Sequence, residues 1–165
     1  MKENRAQTSA EFIFLIGVLI LLAMLSVVFI AGENELNVAM GAARSGVIGG
    51  IGESSTAMYS IGAYDDYTNS KSNLMHPYSV DIVNITYKEL GMDSNYGKKK
   101  IQFKVYAKSS NKYSKSELDS IGDRINYNLR KSLAVCFNST SSTNKLYNPV
   151  FSPHYVFTTA NVKWV

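Results

Sequence analysis

The chain of 165 residues contains a single cysteine, two histidines and three prolines. One cysteine cannot form an intrachain disulfide, which excludes a disulfide-stapled fold. One cysteine and two histidines cannot furnish a zinc cluster of the usual ligand types. Charge is also scarce. Asp, Glu, Lys and Arg make up 18% of the chain, against about a quarter in ordinary globular proteins. The formal net charge of +4 is too small and too spread to imply nucleic acid by itself. There is no nucleophile elbow, phosphate loop, dinucleotide fingerprint or zinc triplet. The chain is therefore not expected to be an enzyme, and no cofactor is expected. Apolar residues are abundant: at 45% of the chain they suffice for one globular domain of ordinary size.

Much of the missing charge is absent from one block. Phe12 to Gly32 (FIFLIGVLILLAMLSVVFIAG) holds no charge and no proline. As a helix rising ~1.5 Å per residue it spans about 31 Å, the thickness of a bilayer's hydrocarbon core. A secretory signal peptide has a shorter apolar region and ends at a small-residue cleavage site. Here Glu33, Asn34, Glu35 and Leu36 follow instead. A plain anchor is the other simple reading. Lys2 and Arg5 precede the block, which leaves the short N-terminus in the cytoplasm and the rest outside. A plain anchor does not account for Glu11, a carboxylate at the edge of the apolar run, where charge is expensive and marks function.

The stretch Ala6-Gln7-Thr8-Ser9-Ala10-Glu11-Phe12-Ile13-Phe14-Leu15 resembles the processing site of archaeal type IV pilins with class III signal peptides. Their pattern is Gln-x-Ser-x-Glu-x-x-x-Leu before an apolar helix. Gln7, Ser9, Glu11 and Leu15 fill its four positions. The resemblance covers roughly residues 1–32. It implies a leader, residues 1–6, removed by a prepilin peptidase that cuts between Ala6 and Gln7. Ala6 stands where the family often has glycine. The resemblance also implies a part for Glu11 in subunit docking, and assembly into a helical homo-oligomeric filament with other pilins and assembly machinery. The precursor would sit in the membrane and the finished subunit outside the cell. The physics is compatible. Cleavage exposes an α-amino group of pKa ~8, which can neutralise Glu11 of a neighbour. A carboxylate without such a partner in an apolar core would cost several kcal/mol. The alternative is an unprocessed single-pass anchor carrying an extracellular binding domain.

Beyond the block, Leu36, Met40, Ala43, Val47 and Ile51 mark one face of an amphipathic helix. The helix, with its membrane span, is assigned to residues 7–61 and the head to 62–165. Gly41, Gly46, Gly49, Gly50 and Gly52 interrupt the helix. They predict a weak helix that bends or ends near Gly49-Gly50, or close helix packing in a filament. Residues 63–77 read as a polar loop containing Asp65, Asp66 and His76. Tyr59, Tyr64, Tyr67 and Tyr78 are candidate contact residues whose default role is packing.

Val80–Leu90 reads as a strand with a phase shift: Val80 and Ile82 share one phase, Val83, Ile85 and Tyr87 the other. That suggests a bulge or a strand covered on both faces. Asp93–Gly97 reads as a hairpin turn, with only a faint echo of a calcium loop. Ile101, Phe103, Val105 and Ala107 alternate with polar residues, the period of a half-buried strand. Ser114 and Glu117 form a capping box. Leu118, Ile121, Ile125, Leu129 and Leu133 mark the face of a second helix, with Arg130 and Lys131 placed late for the dipole. Two strands follow, near Leu146–Phe151 and Tyr155–Val165, the latter with Val156, Ala160, Val162 and Trp164 on one face. The order is long helix, β, β, helix, β, β. The expected class is α+β: a small antiparallel sheet covered by helices. Heads in the pilin family are often mostly β, so the second helix is a departure.

Three features could carry surface function. Lys98, Lys99, Lys100, Lys104 and Lys108 form a basic run that could grip anionic surfaces. The bland alternative is the wet face of an edge strand, where lysines block aggregation. Asn84-Ile85-Thr86 and Asn138-Ser139-Thr140 are glycosylation sequons, with Asn84 the less accessible because it lies in a strand. Cys136 is expected to be a small buried apolar residue.

Overall fold

A computed structural model describes residues 3–52, 80–143 and 146–165, with side chains from Ser9 onward. The expected boundary at 61/62 and the loop at 63–77 lie outside the described residues. So do Asp65, Asp66, His76, Tyr59, Tyr64, Tyr67 and Tyr78.

The chain divides into two compact units, Met1–Val38 and Ala39–Val165. Helix α1 runs from Glu3 to Gly52, so its last turns belong to the second unit. In the first unit the apolar side chains from Phe12 to Ile30 are bare. Phe14 is 75% and Phe29 69% exposed, which no core helix of a soluble protein would show.

The second unit holds a five-stranded sheet. Strand β1 (Val80–Asp93) pairs antiparallel with β2 (Lys98–Ser109). Their register slips between Ile82 and Asn84, leaving Val83 as the extra residue. The phase shift in the sequence is thus a bulge. Asp93 closes the hairpin: its carbonyl accepts from Gly97 N at 2.9 Å and its Oδ1 from Asn95 N at 3.0 Å. Gly97 has φ +62°, a conformation open to glycine. Asp93 is therefore a turn residue, and the calcium echo has no further part here.

Helix α2 (Lys115–Cys136) begins on the predicted capping box. Glu117 N donates to Ser114 Oγ, and Ser114 N donates to Glu117 Oε2 at 2.8 Å. After it come β3 (Val150–Phe151), β4 (Tyr155–Thr159) and β5 (Lys163–Trp164). The sheet order is β1-β2-β4-β3, with β5 also on β2. The α+β class and the element order hold. The sheet is mixed. The β1–β2 and β3–β4 pairs are antiparallel, but β4 and β5 run parallel to β2. A crossover through α2 permits this; a tight hairpin would not.

The last expected strand is broken in two at Ala160–Val162. Ala160 N still donates to Phe103 O at 2.8 Å, and Val165 N to Ala107 O at 2.9 Å. The break resets which face the side chains use. Val156 pairs with Lys100 and Phe157 with Ile101. Val156 and Phe157 are both buried, on alternate faces of β4, whereas Val162 and Trp164 lie beside α2.

The core is the inner face of β2 (Ile101, Phe103, Val105, Ala107) with Val150 and Phe157, all nearly or fully buried. Ile125, Leu129 and Leu133 of α2 cover it. Phe157 is the hub: its ring lies 5.9 Å from Phe103 and stacks on Phe137 at 5.5 Å. Such pairs add about 0.5–1.5 kcal/mol each beyond their buried area.

The other side of α2 receives the end of α1. A Cβ on Gly46 would stand 2.5 Å from Asn128 O and 2.8 Å from Leu129 Cα; one on Gly50 would stand 3.1 Å from Asn128 Cβ. Ala43 and Val47 are fully buried beside them. Gly41, Gly49 and Gly52 have nothing within 4 Å. The helix continues through Gly49-Gly50, and its described part ends at Gly52. Two of its glycines serve close packing within this chain.

Two further expectations need correction. Cys136 is exposed, because the next inward position after Leu133 falls on Phe137. Arg130 does not serve the helix dipole, since the last turn of α2 has no basic residue. Its Nε donates to Leu146 O at 3.2 Å and its guanidinium also binds Thr159 Oγ1. Burial pushes the guanidinium pKa down, and the charge of Asp123 pulls it back up.

Candidate functional site

Ala6 and Gln7 lie in the first turns of α1, and their side chains lie outside the described ones. Glu11 is exposed, as are Phe12 to Leu15 directly after it. At Glu11 charge therefore meets apolar surface on an uncovered stretch of the helix. Among the described residues, α1 is the one helix long and apolar enough to cross a membrane.

The basic run divides into two groups. Lys98 Nζ donates to Ser152 O at 2.6 Å, Lys99 sits 3.1 Å from Glu89 and Lys100 3.8 Å from Asp93. The acids missing from the run come across from β1. The second group is different. Lys104 lies over the Tyr106 ring at 5.6 Å, and Lys163 over the same ring at 5.7 Å. Lys104 and Lys163 thus converge on one aromatic ring, a cation–π arrangement. Lys108 is exposed on the same alternation of β2. Nor is β2 an edge strand: β1 covers one side, β4 and β5 the other. Edge protection is therefore not what these lysines do. Lys163 was not among the sequence candidates, because nothing local shows that residue 163 pairs with residue 106.

Both sequon asparagines are exposed. Asn84 sits beside the bulge on β1, an edge strand among the described residues, and its Oδ1 accepts from Ile85 N at 2.8 Å. The strand does not bury it. Asn138 follows α2 at φ 50°. Ser139 N donates to Ala134 O and Asn138 N to Val135 O, a Schellman cap with asparagine in the left-handed position. Asn138 thus has a structural reason to be there as well as an accessible amide.

Among the described residues no group of three His, Cys, Asp or Glu side chains could hold a metal. Comparisons with protein families, with curated proteins and with solved structures find no match. The chain consists of an apolar N-terminal helix of the membrane-anchoring or signal type and a small α+β head. That combination is consistent with a surface or structural protein.

Proposed function

We propose that the chain is the precursor of a structural subunit of a type IV pilus-like surface filament, without enzymatic activity. A prepilin peptidase would remove residues 1–6. The mature subunit would begin at Gln7, wait in the membrane by α1 and then pack that helix against those of other copies. The observation that carries this reading is Glu11. It stands at the start of a bare apolar helix, in register with Gln7, Ser9 and Leu15. In a bundle of such helices, the α-amino group of one subunit neutralises the Glu11 carboxylate of the next. The heads would form the outer surface, with glycans on Asn84 or Asn138. The test is the identity of the first residue in the assembled protein.

Adhesion to anionic surfaces is the second part of the proposal. It rests on Lys104, Lys108 and Lys163 around Tyr106, more than on the partnered Lys98, Lys99 and Lys100. Lys104→Glu with Lys163→Glu is expected to weaken filament binding to sulfated beads roughly tenfold or more, since two attractions become repulsions. Filament yield should not change. Binding equal to wild type would remove the lysines from adhesion.

A further inference from the structure

The cleft between α2 and the C-terminal segment serves none of the roles above. It encloses about 280 Å³ and is lined by Leu118, Asp119, Asp123, Asn126, Asn161 and Trp164, among others. Asp119, Asp123 and Asn126 follow one another at helical spacing on one face of α2. Val162 packs 3.4 Å from where a Cβ on Gly122 would stand, so the floor is tight. Asn126 is only 5% exposed. Its Nδ2 donates to Ala160 O at 3.0 Å. A carbonyl only accepts, so that contact fixes which way round the amide sits. The Asn126 Oδ1 is then left buried without a hydrogen-bond partner, a costly arrangement in a protein interior.

The cleft thus offers acceptors and negative charge, beside an indole and a leucine. A divalent cation would want six or more oxygens in its shell and would gain nothing from Leu118 or Trp164. An ammonium group on an alkyl stem uses every part. Its N–H groups find the exposed Asp119 and Asp123 carboxylates, with the buried, unpartnered Asn126 Oδ1 beneath them; its stem lies on Leu118, and its charge meets the indole. We propose that this cleft binds a primary alkylammonium group, from a small soluble amine or from a lysine side chain of a second copy. The site stands independently of the filament reading.

Trp164 is the single tryptophan of the chain, so intrinsic fluorescence reports on the cleft. The full chain in detergent micelles is titrated with n-butylammonium chloride, against sodium chloride at equal ionic strength. The expected result is a saturable change in Trp164 emission with butylammonium alone. Asp119→Asn with Asp123→Asn, both at exposed positions, should weaken it by about tenfold or more, as loss of charged acceptors requires. Emission that shifts with protein concentration, and is reversed by butylammonium, assigns the ligand to a second copy. Emission independent of concentration assigns it to a small amine. Three results overturn the proposal: no saturable change, the same change in the double variant, or a response to calcium chloride in place of butylammonium.

Discussion

Replacement of Glu11 by alanine is expected to leave the chain in the membrane and to abolish most filament assembly. Insertion depends on the apolar block from Phe12 onward, and alanine is the best helix former. Removing a carboxylate there makes insertion easier. Assembly, in the proposed filament, depends on something else. In the apolar core of a filament each α-amino group needs a carboxylate, and losing one member of a buried ion pair costs about 3–5 kcal/mol. At each subunit addition that is roughly two to four orders of magnitude in affinity. Glu11→Gln keeps the shape and removes the charge, so it should behave nearly as badly. The measurement is the amount of protein in sheared filaments relative to membranes. A wild-type ratio in both variants would remove Glu11 from assembly.

The second large effect is expected inside the head. Gly46→Ala places a methyl group 2.5 Å from Asn128 O, 2.7 Å from Ser132 Cβ and 2.8 Å from Leu129 Cα. Two of these three are backbone atoms, so no side chain can turn aside. The end of α1 must move off α2, at a cost of about 1–3 kcal/mol or more. Gly50→Ala meets its neighbours at 3.1–3.3 Å and should cost less. Gly49→Ala meets nothing within 4 Å and should gain up to about 1 kcal/mol from helix propensity. Thermal unfolding of the full chain in detergent checks the series. The expected order of melting temperature is Gly49→Ala, wild type, Gly50→Ala, Gly46→Ala. A Gly46→Ala protein as stable as wild type would show that the two helices do not pack this closely.

These glycines mark where sequence reading stops. Glycines 41, 46, 49, 50 and 52 look alike in the sequence. Only the position of α2, some eighty residues on, separates the two that pack from the three that face open space. Local patterns were legible. The alternation of Ile101, Phe103, Val105 and Ala107 marked the inner face of β2. Ser114 and Glu117 marked the start of α2, and the phase shift at Val83 marked the bulge. Long-range pairing was not legible. The place of β2 in the middle of the sheet depends on residues 155–164, which join it in parallel more than fifty positions away. The basic run shows the same limit, since Glu89 and Asp93 reach it from the neighbouring strand. Cys136 is expected in the core because free cysteine is among the most buried residue types, but it is exposed and Phe137 takes the inward place. For the candidate site, Gln7, Ser9 and Leu15 come from the resemblance of their pattern to a pilin processing site, and Glu11 also from its place at the edge of the apolar run. The convergence of Lys104 and Lys163 on Tyr106, and of Asp119 and Asp123 with Asn126 and Trp164, needed the fold.

The claim that this chain is processed and assembled rests most directly on where the mature protein begins. Filaments sheared from the cell surface are digested, and the N-terminal peptide is read by mass spectrometry. A chain starting at Gln7 is expected, and the intact mass should exceed the peptide mass if Asn84 or Asn138 carries a glycan. A chain that retains Lys2 to Ala6, recovered only from membranes and never from filaments, would contradict processing. It would leave a permanently anchored head domain.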